Sequence, residues 1–142
     1  MASADWDAYK KANQLPRQFL HPSIVAKVWP TYLRGDYDTA VFQAYKEVEV
    51  QVRTAIGAPF ELVGVDLMRK AFHLTDGPLT DQGKPKAERE ALAHLFAGAV
   101  GSYKNPHSHR NVQIDAQEAS EMIILASHLL RIVAERKARA DA

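Results

Sequence analysis

The chain has 142 residues, 46% hydrophobic and 25% charged, which is the size and mix of one domain that buries its own core without metal or disulfide. It has no cysteine, which excludes disulfides, thiolate metal sites and cysteine nucleophiles and fits a reducing, cytoplasmic setting. A formal net charge of +1 excludes a bulk nucleic-acid footprint, no apolar run reaches the ~20 residues that span a bilayer, and the acidic opening MASADW predicts no signal peptide.

Residues 1–20 scatter Trp6, Tyr9, Leu15, Phe19 and Leu20 among charges around Pro16, which predicts an arm or a short irregular helix. His21-Pro22-Ser23 opens the first long helix, since proline is tolerated in a first turn. Ile24, Val28 and Leu33 are its core candidates, and Pro30 is expected to kink or shorten it. Gly35-Asp36 ends it, and Asp36 or Asp38 caps the next. A second helix over residues 37–56 places Val41, Tyr45, Val48, Val52 and Ile56 at spacings of four, three, four and four, one helical face. Glu47, Glu49 and Arg53 fall off that stripe, and two glutamates two apart point different ways, which argues against a carboxylate pair. Gly57 and Pro59 stop the helix.

A short helix follows over residues 65–72, with Leu67, Met68, Ala71 and Phe72. Residues 75–85 form a polar loop rich in turn residues, the segment expected to be most mobile. A further helix over residues 86–103 buries Leu92, Phe96, Ala99 and Tyr103, with Leu95 and Val100 beside them. Gly98 and Gly101 lie inside it, where glycine costs about 1 kcal/mol against alanine, so a close crossing or a break is expected. Asn105-Pro106 interrupts this helix. The last helix begins near Asp115, with Glu118 completing a capping box, and runs to about Arg139 on a face of Ala119, Ile123, Ala126, Leu130 and Val133. The closing residues are polar, and a frayed tail at 140–142 is expected. The pattern predicts an all-α fold. Residues 21–139 form one antiparallel bundle of four long helices plus a short one. Neither GxGxxG nor GxxxxGK[ST] occurs, which argues against Rossmann and P-loop chemistry.

One segment is crowded with chemistry: Tyr103-Lys104-Asn105-Pro106-His107-Ser108-His109-Arg110-Asn111. Histidine exchanges protons near neutral pH, and lysine and arginine hold phosphate and stabilise charge developing on it. A cation and a histidine at a helix break are a minimal kit for phosphodiester cleavage when the substrate brings its own nucleophile, as the RNA 2′-hydroxyl does. The competing reading is a solvated polar loop. His107 and His109 also invite a metal, but no third ligand is near in sequence and cysteine is absent, so no metal or other cofactor is expected. His21, His73, His94 and His128 are most simply helix-end or flank residues.

Lys104-Asn105-Pro106-His107-Ser108-His109 resembles a variant of the RNPxxH form of the HEPN signature. Leu20-His21-Pro22, the Gly35-to-Val41 opening of the second helix, Asp66-Leu67-Met68 through Phe72, and Gly98 to Gly101 are similar to the Ymh family of bacterial hypothetical proteins, whose C-terminal domain is HEPN-like. The resemblance spans about residues 20–136. It implies a helical bundle, a homodimer in which two signatures meet, and metal-independent cleavage of RNA to a 2′,3′-cyclic phosphate and a 5′-hydroxyl. It implies His109 as general acid or base, Asn105 as an orienting or phosphate-contacting group, and Lys104 at the arginine position as stabiliser of the phosphorane. His107, Ser108 and Arg110 would touch substrate. It also implies a stress-response, toxin or phage-defence setting, with a toxin, antitoxin or defence partner. Lys104 is the departure from the pattern: lysine keeps the charge and loses the planar fork of arginine. The alternative is a non-catalytic dimerisation module that binds RNA, a nucleotide or a partner protein.

Overall fold

The element that organises the molecule is a 20-residue helix, α4 (Tyr37–Ile56). It follows α1 (Ser3–Ala12), a 3-10 turn at Arg17–Phe19, α2 (Pro22–Lys27) and α3 (Trp29–Leu33). After it come α5 (Gly64–Ala71), α6 (Lys86–Ala99), a π-turn at Val100–Lys104, and the 26-residue α7 (Ala116–Asp141). The computed structural model describes residues 3–12, 17–105 and 113–142, and among these there is no strand. The fold is an all-α helical bundle.

The predicted first long helix is two helices. Pro22 takes the first helical position, and His21 Nδ1 accepts a hydrogen bond from the Ser23 N–H at 3.2 Å. The chain then breaks at Val28, because Pro30, in the first turn of α3, has no N–H to continue the ladder. Ser23 meets Gln51, and Lys27 meets Glu47, so α2 runs antiparallel to α4. The His21 N–H donates to Ser127 Oγ, and the Tyr32 hydroxyl donates to the Ala116 carbonyl, so α2–α3 also runs antiparallel to α7. Helices α4 and α7 therefore point the same way, and they pack directly against each other.

Along α4, Val41, Tyr45, Val48 and Val52 are buried as the spacing predicts, and Ala40 and Ala44 widen the stripe. The Tyr45 hydroxyl donates to the Met122 carbonyl at 2.7 Å, which joins α4 to α7. Burial pushes its phenol well above the ordinary value. Asp36 holds the cap position of α4 with no side-chain capping bond, whereas Gly57 ends the helix at φ +62°, the left-handed conformation expected of it. At the start of α7, Asp115 Oδ1 accepts from the Glu118 N–H at 2.8 Å. Helix α7 continues to Asp141, where a frayed tail was expected. Lys137 pairs with Asp141 there, and Arg139 pairs with Asp81.

The polar loop before α6 is tied down. Leu79 is buried in the core and its N–H donates to the Ala71 carbonyl. Thr80 Oγ1 donates to the His73 carbonyl, and Arg89 donates to the Leu74 and Lys84 carbonyls and to Gln82. Gly77 sits against the His73 backbone, where a Cβ would collide with the main chain and with Thr80. Gly77→Ala is expected to destabilise the fold by about 2 kcal/mol through this overpacking, read as a lower urea midpoint. An unchanged midpoint would mean the loop is free to move aside. Under the loop, the Phe72 and Phe96 rings stack at 4.1 Å between α5 and α6.

Candidate functional site

Lys104 and Asn105 stand where α6 leaves its regular winding. The Asn105 N–H donates to the Val100 carbonyl, five residues back, so the last turn is a π-turn rather than the predicted plain helix end. Gly101 inside that turn makes the expected close approach: a Cβ there would lie 3.1 Å from Val65 on α5. Gly98 has no such neighbour.

The π-turn brings the Lys104 ammonium to 3.3 Å from Glu49 Oε2. Glu49, on α4, is fully buried. Its Oε2 also accepts from the Gly64 N–H at 2.9 Å. Its Oε1 accepts from Lys46 and Arg53, both at 3.0 Å. Burial alone would raise this carboxyl, but Lys46, the Gly64 N–H, Arg53 and Lys104 outweigh it and hold the group at about 2. Three cations thus surround one carboxylate. Arg53 and Lys104 are largely buried, with 11% and 14% of their side chains exposed, while Lys46 is open at 41%. Arg53 also donates to the Leu62 carbonyl through Nε and Nη2, fixing the connection between α4 and α5.

Gly64 is needed here. It opens α5 at φ +61°, which aims its N–H at Glu49, and a Cβ would stand 3.7 Å from Asn105 Oδ1. Gly64→Ala would therefore strain the backbone, while its Cβ would make only ordinary contact with the Asn105 amide. Glu47, two residues before Glu49, turns the opposite way, toward Lys27 and Gln51. The two glutamates diverge as expected, but both are buried, which their place off the apolar stripe did not suggest.

The structure thus brings Lys104 and Asn105 together over α4 and α5. The other residues of the crowded segment, His107, Ser108, His109 and Arg110, lie outside the described residues, as do the two histidines of the metal reading. Among the described residues no group of three or more metal-ligating side chains gathers. His94 and His128 are exposed on their helices, and His73 pairs with Asp76 at 2.8 Å. The site residue that sequence reasoning missed is Glu49. Its signal was local, since Lys46 and Arg53 sit three before and four after it, on the same side of the helix. No described helix is long and apolar enough to cross a membrane.

No curated protein and no solved structure matches the chain. The family model described as "Protein of unknown function (Hypoth_ymh)" matches residues 18–133, and the chain belongs to that family.

Proposed function

We propose that the chain is a homodimeric, metal-independent endoribonuclease of the HEPN type, acting in a stress-response, toxin or phage-defence setting. The observation that carries this reading is the fixed position of Lys104, with Glu49, Lys46 and Arg53 around it, directly before the segment that contains His109. In this scheme the 2′-oxygen of RNA attacks the adjacent phosphorus as a base takes its proton. The bond from phosphorus to the 5′-oxygen breaks, and an acid returns a proton to that oxygen. The products are a 2′,3′-cyclic phosphate and a 5′-hydroxyl. His109 of each protomer supplies the base and the acid. Lys104 steadies the phosphorane charge, and Asn105 positions the phosphate. His107, Ser108 and Arg110 are assigned to substrate binding in this scheme.

The test is labelled single-stranded RNA incubated in EDTA with the parent and with His109→Ala. Cleavage by the parent alone, leaving cyclic phosphate ends, is the expected result. Equal cleavage by the variant would sink the mechanism.

The engagement of Lys104 with Glu49 favours a second reading. A lysine held by a buried carboxylate is also what an anchor for a non-catalytic module would look like. Such a module would bind RNA, a nucleotide or a partner protein. RNA binding without cleavage, unaltered by His109→Ala, is its expected result.

A further inference from the structure

Phe60 lies in the connection between α4 and α5, three residues after Gly57. It is 78% exposed, more than any other large hydrophobic side chain among the described residues. A lone exposed aromatic carries no meaning by itself. This one has two further properties. Its ring is backed by the Arg53 guanidinium, 5.6 Å from the centroid, and Arg53 is itself fixed to Glu49 and to the Leu62 carbonyl. The ring is therefore held on a braced loop rather than on a loose one. And the group that braces it belongs to the same cluster as Lys46 and Lys104.

We infer that Phe60 is a stacking platform for a base of single-stranded RNA whose backbone phosphate is held by Lys46 and Lys104. This rests on the RNA reading of the site and names its substrate class: unpaired nucleotides, taken without sequence preference at this position. Every base offers a π-face, and a cation beneath an aromatic ring adds to the attraction. Glu61, exposed beside Phe60, repels phosphate from the loop tip. The backbone is thereby directed to the lysine side, while the uncharged base takes the ring.

The probe is a fluorescent single-stranded 2′-O-methyl oligonucleotide, which has no nucleophile and cannot be cleaved, beside a matched oligonucleotide carrying abasic positions. Binding is read by anisotropy with the full chain. Phe60→Ala is expected to weaken binding of the base-bearing oligonucleotide about 10-fold and to leave the abasic one unchanged. Phe60→Trp is expected to bind like the parent, with its added indole emission quenched on binding. Equal affinity of parent and Phe60→Ala for the base-bearing oligonucleotide overturns the platform and leaves the ribonuclease reading standing. A parent that binds neither oligonucleotide and cleaves no RNA overturns both. A Phe60→Ala chain that loses its dimer with no dependence on bases assigns the ring to a contact between copies and also overturns the proposal.

Discussion

Glu49→Ala is expected to lower the unfolding free energy by about 3 kcal/mol, the range for removing one partner of a buried ion pair. For a chain of this size that is a fall in Tm of about 10 °C. The loss comes from what remains: the Gly64 N–H has no acceptor, and the largely buried Arg53 and Lys104 have no counter-charge. Glu49→Gln keeps an oxygen for Gly64 and should cost less. The pH dependence separates charge from packing. The folded carboxyl titrates at about 2 against an ordinary 4.5. A group depressed on folding contributes fully above its unfolded value and loses that contribution as pH falls toward its folded value. The parent should therefore lose this stability between about pH 4.5 and pH 2, and Glu49→Ala should not show that component. Thermal unfolding followed by circular dichroism from pH 7 down to pH 3 measures both. A variant as stable as the parent at pH 7 would mean that the three cations find water without cost.

Cleavage by His109→Ala is expected to be about 100-fold to 10,000-fold slower, the usual worth of a positioned proton carrier. The parent's rate should show a bell-shaped pH profile, because one imidazole has to be neutral while its partner is protonated. Lys104→Met is the sharper companion variant. It removes the charge but leaves Glu49 its bonds to Lys46, Arg53 and Gly64, so the fold should hold. If Lys104 steadies the phosphorane, kcat falls about 100-fold with little change in KM. A chain that loses stability without losing rate would make Lys104 an anchor, as the module reading has it. Lys104→Arg restores a planar fork and should match or exceed the parent's rate under the catalytic reading.

Helix limits were legible wherever one residue type dictates the backbone. Gly57 can adopt a positive φ, Pro22 suits a first turn, and Asp115 caps with its carboxylate. The apolar stripes of α4 and α7 were legible for the same local reason. What was not legible depends on partners distant in sequence. The break at Val28 needed Pro30 to be weighed as a helix start rather than a kink. The loop before α6 looks mobile by composition, yet Leu79 and the His73 carbonyl hold it in place. Glu49 looks like a solvent-facing residue until α5 and the π-turn close over it. A polar residue's burial depends on what the rest of the chain lays against it, and the spacing of a single helix does not contain that information.

The π-turn at Val100–Lys104 has a further consequence for how such chains tolerate length changes. A π-turn is an α-helix carrying one surplus residue. Deleting Ser102, which is exposed, should let the segment relax to ordinary α-winding. The deletion leaves Asn105 four residues after Val100, the α-helical spacing, so its N–H can keep the Val100 carbonyl as acceptor. The surplus residue is taken up within the turn, and Lys104 and Asn105 keep their places against Glu49 and Gly64. A one-residue deletion at Ser102 should therefore be tolerated, whereas one in the middle of α4 would turn every later side chain of that helix by roughly 100° about its axis.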